Sequence, residues 1–270
     1  MSGANLVPMT EKPDARPPLD HSALADSVEV LDRAESTNSL VTERARAGAP
    51  AGTVVVAEWQ TSGRGRLDRV WAVPDRAALT FSVLLRPEVP AERWPWLPLL
   101  AGLVVDEALG ELIGGVGLKW PNDVLVGEAQ RKICGILVER VETPQGPAAV
   151  LGIGINVHQD ADELPTTTAT SVRLEAGEGA LVDRTALLNR LLALIEERLP
   201  LLADADGLRA AYARRCVTIG RQVRVELPAD RRLLGRAVDV DEHGRLVVEA
   251  DGTRHVVGAG DVIHVRATDL

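Results

Sequence analysis

Short apolar runs and amphipathic segments alternate along the chain from residue 28 onward, and each ends at turn-forming or capping residues. Runs rich in β-branched and apolar residues predict strands at 28–31, 53–58, 79–85, 133–141 and 148–157. Capping signals and helical periodicity predict helices at 38–47, 97–113, 184–199 and 208–215. These elements predict an α+β fold in which a central mixed β-sheet carries helices on one side.

The pattern changes after Cys216, where five short strand candidates are separated by turn residues: 222–227, 235–239, 245–249, 254–257 and 262–265. The pairs His243-Gly244 and Asp251-Gly252 are hairpin signals. Five short strands within about 50 residues predict a small barrel. We therefore expect a disordered, proline-rich lead over residues 1–27, a main domain over 28–216 and a small barrel domain over 217–270.

The composition is that of a folded protein with an anionic surface. The chain has 270 residues, of which 46% are hydrophobic and 26% charged, and its formal net charge is −9. This charge excludes a general nucleic-acid coat protein, because phosphate contacts require the opposite sign. No apolar stretch reaches the ~20 residues that cross a bilayer, and the first residues contain no secretory h-region. We therefore expect a cytoplasmic protein.

Several common chemical motifs are missing. Two cysteines without a CxxC motif and five histidines without metal-ligand spacing predict neither a disulfide framework nor a metal site. Cys134 lies in an apolar run and is expected to be a small core residue. There is no GxxxxGK[ST] motif, and Gly152-Ile153-Gly154 lacks the third glycine of the dinucleotide fingerprint. Any bound nucleotide is therefore held without a P-loop or a Rossmann turn.

A segment rich in glycine and arginine, QTSGRGRLDR, follows the second predicted strand. The backbone at Gly63 and Gly65 can approach a ligand closely and offer its N–H groups to an anion. The side chains of Arg64, Arg66 and Arg69 supply fixed positive charge and paired donors for carboxylate or phosphate. The segment is either an anion-binding lid or a solvated surface loop.

Lysine is rare, since only three of the 30 basic residues are lysines. Lys119 opens the sequence KWPND, where Asn122 and Asp123 stand at a bend and are either site residues or members of an Asx-turn. Lys132 stands at the start of an apolar strand, with Gly135 allowing close backbone approach. Its ammonium is either a mobile point charge on a transferring group or that of an ordinary strand-end lysine.

Asn156 stands in the apolar segment GIGINV. A buried asparagine that lacks hydrogen bonds costs ~1–3 kcal/mol, so its side chain must have partners. A backbone carbonyl, a base edge or a ribose would each satisfy it.

These segments occur together, in order, as ESTN at 35–38, GRGR within 60–66, KWPND at 119–123, KICGIL at 132–137 and GIN at 154–156. On them the chain resembles biotin–protein ligases (biotin–[carboxylase] ligases, holocarboxylase synthetases). The resemblance implies that biotin and MgATP form biotinyl-5′-AMP and pyrophosphate, and that the biotinyl group then passes to a lysine of a carrier domain. It also implies a central α/β domain followed by a small SH3-like C-terminal domain.

The resemblance further implies a role for each matching residue. Recognition of the biotin head group is implied for Ser36, Thr37, Asn38 and Gln60. Closure over the biotin carboxylate and the α-phosphate is implied for Gly63, Arg64, Gly65 and Arg66. Other contacts with the ligands are implied for Arg69, Trp71, Lys119, Asn122, Gly135 and Asn156, with Asn156 on the adenine side. Catalytic roles are implied for Lys132, Arg66 and Asp123, with Asp123 ordering Mg²⁺ or the incoming lysine amine.

The implied substrates are biotin and ATP with Mg²⁺, and the implied partner is the biotin carboxyl carrier domain of an acyl-CoA or pyruvate carboxylase. The lead of 27 residues is too short for the winged-helix module of some relatives, so we expect no DNA partner. We also expect no membrane partner, and a monomer or weak homodimer. Position 67 is Leu, where other members can carry another basic residue, so this loop is less cationic than theirs. A lipoate-type acyl-adenylate ligase and a non-catalytic biotin-binding sensor are the alternatives.

Overall fold

The computed structural model describes residues 16–177, 181–227, 231–258 and 260–265, and its first sheet has seven strands. In chain order these are β1 (Val28–Ala34), β2 (Val54–Gln60), β3 (Ala78–Leu85), β4 (Val116–Lys119), β5 (Asp123–Val126), β6 (Arg131–Thr143) and β7 (Gly146–Asn156). Their spatial order is β1-β2-β3-β7-β6-β5-β4. The β1–β2 pair is parallel and the other neighbours are antiparallel, which confirms the predicted mixed sheet.

In the described part of the chain, five α-helices accompany the sheet: α1 (Thr37–Arg46), α2 (Leu97–Gly110), α3 (Val172–Ala176), α4 (Arg184–Arg198) and α5 (Ala205–Arg215). Ser36 caps α1, and Gly48 after its C-cap has a φ of 93°, a conformation that favours glycine. The five-residue α3 was not predicted, because it is too short to show a helical period. None of the helices in the described ranges is long and apolar enough to cross a membrane.

The helices lie on both faces of this sheet, so the prediction of helices on one side is wrong. Alternate residues of β2 point to opposite faces: Val54 and Val56 join the large core that contains α2 and α4, while Val55 joins a smaller cluster with Val41 of α1. The reason is that β2 and β3 are buried along almost their whole length. A strand that is apolar on both sides must be covered on both sides.

The second sheet consists of five antiparallel strands: β8 (Gln222–Leu227), β9 (Arg231–Val240), β10 (Leu246–Ala250), β11 (Thr253–Val257) and β12 (Asp261–His264). Their order is β11-β10-β9-β8-β12. Closure into a barrel requires the two edge strands to pair, and within the described residues β11 and β12 do not. The expected barrel is therefore an open sheet, whose edge strand β12 instead faces the first sheet through hydrogen-bond contacts of His264 with Thr218 and Gln130.

The two sheets share one hydrophobic core. Leu118 and Trp96 beside the first sheet belong to the same cluster of buried side chains as Val223 and Val248 of the second. Polar contacts reinforce the junction, since the indole N–H of Trp120 donates to the Gly244 carbonyl at 2.9 Å. The change of sheet falls between α5 and β8, and the division into domains at 28–216 and 217–270 stays a prediction.

The predicted lead over residues 1–27 is only partly described, because residues 1–15 lie outside the described residues. From residue 16 the chain is packed against the first sheet: Leu19 is buried, and its N–H donates to Glu58 at 2.6 Å. Glu58 pairs with Arg184 at 2.7 Å, and Arg184 also donates to the Pro17 carbonyl. Disorder is therefore wrong for residues 16–27, because a buried ion pair from two distant elements anchors this segment.

Candidate active site

One cavity of about 340 Å³ lies on the face of the first sheet that α1 covers. On this face α1 packs on Val141, Ala148 and Val150, while Gly135 and Gly152 farther along the same strands line the cavity. The sequence analysis predicted sixteen site residues, and fifteen of them line this cavity: Ser36, Thr37, Asn38, Gln60, Arg64, Gly65, Arg66, Arg69, Trp71, Lys119, Asn122, Asp123, Lys132, Gly135 and Asn156. Gly63 is the exception: it is buried where the segment begins and does not line the cavity.

Ser36, Thr37, Asn38 and Gln60 form one end of the cavity, called here the polar floor, and all four are buried. The Thr37 N–H donates to Gln60 Oε1 at 2.7 Å. Ser82 Oγ lies 2.7 Å from Thr37 Oγ1 and 2.6 Å from Asn38 Oδ1. The start of α1 thus presents a set of fixed donors and acceptors to a polar group.

Glycines let two side chains lie directly on β6 and β7. A Cβ at Gly152 would stand 2.1 Å from Asn38 Oδ1, and one at Gly154 would stand 2.6 Å from the Trp71 indole. The Trp71 ring also lies against Gly135 of β6. The glycines therefore set the shape of the cavity through the space they leave.

Residues 63–71, called here the cationic loop, form a tight turn over the cavity. Gly65 N–H donates to the Arg69 carbonyl at 2.7 Å, and Trp71 N–H donates to the Gly63 carbonyl at 2.8 Å. A Cβ at Gly63 would stand 2.2 Å from the Trp71 carbonyl oxygen, which explains why glycine is required there. Leu67 occupies the left-handed region with a φ of 55°.

The three arginines of the cationic loop have three different partners. Arg64 pairs with Glu139 at 2.6 Å, and Arg69 pairs with Asp261 of the second sheet. Arg66 donates to Asn122 Oδ1 at 3.1 Å and to the Gly260 carbonyl at 3.4 Å. Burial lowers the pKa of Arg66, against the opposing attraction of Asp123 and Asp261, while the hydrogen bond with Asp261 raises the pKa of Arg69.

Two lysines meet at one carboxylate opposite the polar floor. Lys132 Nζ lies 2.6 Å from Asp123 Oδ1, and Lys119 Nζ lies 3.8 Å from Asp123 Oδ2. Lys132 Nζ also lies 6.0 Å from the centre of the Trp71 ring. Five cationic side chains and two carboxylates line the cavity, so this end favours anions although the whole chain carries a charge of −9.

The two predicted asparagines already have protein partners. Asn122 donates to the Ile136 carbonyl at 2.9 Å and accepts from Arg66, so it joins the KWPND bend to β6 and to the loop. Asn156 donates to the Thr170 carbonyl at 2.9 Å, and its Oδ1 accepts from Gln159. The backbone-carbonyl alternative for Asn156 is thus the one observed, and its place on the adenine side stays a prediction.

The sequence analysis missed three groups at the site: Ser82, Glu139 and Asp261. Glu139 accepts from both Asn38 and Arg64, and Asp261 reaches the loop from the second sheet. It also missed the cavity wall at 165–169, whose Thr168 carbonyl accepts from the Lys132 N–H at 2.7 Å. Ser82 and Glu139 lie in strand patterns that predict a strand but no ligand contact, and the wall has no regular pattern. No signal in the sequence therefore distinguishes these residues from ordinary structural ones.

The carboxylates of the cavity are poorly suited to holding a metal ion. Among the described residues there is no group of three or more His, Cys, Asp or Glu side chains arranged to bind one. Asp123 and Asp261, the only carboxylates that line the cavity in the described chain, are both paired with cations. The donor set therefore does not fit a protein-held Mg²⁺.

Comparison with known proteins identifies the class to which this fold and cavity belong. Residues 30–156 match the family model "Biotin/lipoate A/B protein ligase family", and residues 218–265 match "Biotin protein ligase C terminal domain". The two matches coincide with the two sheets. The chain is thus of the biotin and lipoate ligase class.

Individual relatives narrow this class. The chain is 41% identical to a biotin--[acetyl-CoA-carboxylase] ligase of Mycobacterium tuberculosis, over 96% of this chain and 100% of that protein. It is 32% identical to the bifunctional ligase/repressor BirA of Escherichia coli, over 84% of this chain and 70% of that protein. The biotin protein ligase of Aquifex aeolicus, solved in complex with biotin and ATP, superposes with a TM-score of 0.74 at 29% identity, covering 90% of this chain and all of that one.

The chain belongs to the biotin protein ligase family, and it is an enzyme of the ligase class. The resemblance stated from the sequence motifs is confirmed, and the open second sheet is SH3-like in its arrangement.

Proposed function

We propose that this enzyme joins biotin to ATP as biotinyl-5′-AMP and then transfers the biotinyl group to a lysine of a biotin carboxyl carrier domain. The observation that carries this proposal is the polarity of a single cavity. Fixed neutral hydrogen-bonding groups line one end, and a cluster of lysine and arginine side chains lines the other. A ligand with a neutral polar head and an acidic tail fits such a cavity.

The polar floor is suited to the ureido ring of biotin, which both donates and accepts hydrogen bonds. Hydroxyl and amide groups of Ser36, Thr37, Asn38 and Gln60 supply both kinds of partner. The side chains of Leu137 and Trp71 line the cavity and offer apolar surface that suits the thioether ring and the aliphatic chain.

The cationic end is suited to adenylation. A carboxylate oxygen of biotin attacks the α-phosphorus of ATP, an O–P bond forms, and pyrophosphate leaves with the electron pair of the broken bond. Two anions approach one another in this step, so preorganised positive charge lowers its barrier. We assign this role to Lys132, while Arg66 closes over the same anions and retains the adenylate. The Gly65 N–H is already bonded to the Arg69 carbonyl. Trp71 and Arg69 then hold the nucleotide. Mg²⁺ is expected to enter on the phosphates of ATP.

The second step needs no protein nucleophile, because the adenylate is itself an activated acyl group. The amine of the acceptor lysine attacks the acyl carbon, an amide bond forms, and AMP leaves. Asp123 is proposed to orient the incoming amine, since its carboxylate already attracts two ammonium groups as an ion-pair partner.

The name of the Mycobacterium relative supports acetyl-CoA carboxylase as the source of the carrier domain. Placement in the cytoplasm, a monomeric or weakly dimeric state, and the absence of DNA and membrane partners stay predictions. So do the boundaries 28–216 for the catalytic domain and 217–270 for the C-terminal domain.

The first test is ATP–pyrophosphate exchange driven by biotin, with lipoate as the control acid. We expect exchange with biotin and none with lipoate. Exchange with lipoate alone would identify a lipoate-type ligase. Tight biotin binding without exchange would identify a sensor and would contradict the proposed role of Lys132.

A further inference from the structure

Glu139 is an acidic residue beside a cavity built for anions, and both of its carboxylate oxygens are engaged. It lies on the face of β6 from which Gly135 and Leu137 line the cavity. Oε2 accepts from Asn38 Nδ2 at 2.8 Å, and Oε1 accepts from Arg64 at 2.6 Å. Glu139 therefore connects the polar floor with the cationic loop.

The Glu139 carboxylate determines which group donates and which accepts in each of the neighbouring hydrogen bonds. An ionised carboxylate only accepts, so Asn38 must turn Nδ2 toward Glu139 and Oδ1 toward Ser82. Ser82 has one hydroxyl proton, and donating it to Asn38 leaves its oxygen to accept from the Thr37 hydroxyl 2.7 Å away. The lone pairs of Thr37 Oγ1 are then left for an N–H group in the cavity.

Packing keeps this chain of contacts in place. Asn38, Ser82 and Thr37 are buried, and Gly152 leaves no room for a side chain beside Asn38. The charge at position 139 forbids the reverse orientation of the Asn38 amide, whereas a neutral amide at that position would both donate and accept and so permit either orientation. The acceptor character of Thr37 thus depends on a carboxylate that does not line the cavity.

We infer that Glu139 is a positioning residue for biotin: it presents Thr37 as an acceptor for a ureido N–H, and it holds Arg64 of the cationic loop beside the polar floor. This inference rests on the proposed function, because it takes the bound head group to be the ureido ring. Glu139 acts through Asn38, Ser82 and Arg64 and touches no substrate itself.

The variant Glu139→Gln keeps the size of the side chain and removes its charge. We expect the Kd for biotin, measured by calorimetry, to rise about tenfold, the effect of losing one charge-assisted hydrogen-bond arrangement. We expect biotinyl-AMP to be released faster because Arg64 loses its ion pair, while kcat for exchange at saturating biotin changes by less than about twofold. The control is Glu142→Gln on the same strand, which removes an exposed carboxylate paired with Arg140 and should leave biotin affinity unchanged.

A double-mutant cycle separates a positioning role from a merely structural one. Ser82→Ala interrupts the same chain nearer Thr37, so adding Glu139→Gln to it should weaken biotin binding little further. Wild-type biotin affinity in Glu139→Gln overturns the inference. Independent, multiplicative effects of the two substitutions overturn it too, as does a loss of thermal stability with unchanged affinity.

The wild-type enzyme shows whether the proposed function fails, separately from the role of Glu139. Wild-type enzyme that binds biotin without exchange sinks the ligase proposal, while the calorimetric comparison still decides the role of Glu139. Wild-type enzyme that does not bind biotin overturns both.

Discussion

At the scale of single residues, Lys132 and Arg66 supply positive charge in different ways. Lys132 ends in a point charge on a flexible stem, held at 2.6 Å by Asp123. Arg66 is a planar fork fixed by Asn122 and by the Gly260 carbonyl, at the junction of the loop with the second sheet. The flexible side chain of Lys132 can stay close to the negative charge as that charge shifts from the biotin carboxylate to the phosphate. The Arg66 side chain is instead held in a position that closes the cavity.

Lys132→Ala and Arg66→Ala should therefore fail at different steps. Loss of a contact made chiefly in the transition state costs ~2–4 kcal/mol, so Lys132→Ala should slow adenylate formation about 30- to 1000-fold. Arg66→Ala should form biotinyl-AMP and lose it faster than the wild type. Single-turnover formation of radiolabelled biotinyl-AMP, followed by its release on dilution, measures both.

The matched control for these two variants is Arg140→Ala, which removes an exposed cation on the same strand as Lys132. It should change neither rate by more than about twofold, because a screened surface charge has little effect. Wild-type formation of the adenylate in Lys132→Ala, or wild-type retention of it in Arg66→Ala, contradicts the assigned role.

At the scale of elements, the cavity exists because β6 and β7 lack side chains where α1 and the cationic loop approach them. The indole of Trp71 rests on Gly154, and its buried Nε1 has no hydrogen-bond partner among the described residues. An aromatic surface at the cationic end of the cavity is suited to a purine.

Gly154→Ala tests this arrangement. The new Cβ would stand 2.6 Å from the Trp71 ring, so the indole must move. Because stacking on an aromatic ring contributes ~1–3 kcal/mol per base, the KM for ATP should rise about five- to 150-fold. Gly114→Ala, where a Cβ meets nothing within 4 Å, is the control. An unchanged KM for ATP in Gly154→Ala would argue against nucleotide binding at Trp71.

The elements also show which features a sequence pattern can predict. Most strand and helix positions follow from local periodicity, with the five-residue α3 as an exception. The site motifs follow because ESTN, GRGR and KWPND are short continuous segments. Glu139 and Ser82 were missed because their contacts join β6, β3 and α1, which only the folded sheet brings together. The covering of both sheet faces and the packing of residues 16–20 depend in the same way on long-range contacts.

At the scale of the whole molecule, the Glu58–Arg184 pair holds three separate parts together: β2, α4 and the segment at residues 16–20. Both side chains are 2% exposed, and the pair also receives the Leu19 N–H and supplies a donor to the Pro17 carbonyl. A buried pair in this position is sensitive to the loss of either partner, because the remaining charge is left without compensation.

Glu58→Gln should lower the free energy of unfolding by about 3–5 kcal/mol, measured by urea denaturation. Arg190→Gln on the same helix removes an exposed arginine paired with Glu111 and should cost less than about 1 kcal/mol. Equal effects of the two substitutions would show that the buried pair has no special role in stability.

The core that Leu118 shares with Val223 means that neither sheet covers its apolar surface alone. Unfolding the C-terminal strands would expose the buried side of the first sheet to water, and the reverse is also true. The chain should therefore melt in one cooperative transition, with the calorimetric enthalpy equal to the van't Hoff enthalpy. The predicted boundary at residue 216/217 separates two topologies, yet we expect the enzyme to unfold as one thermodynamic unit.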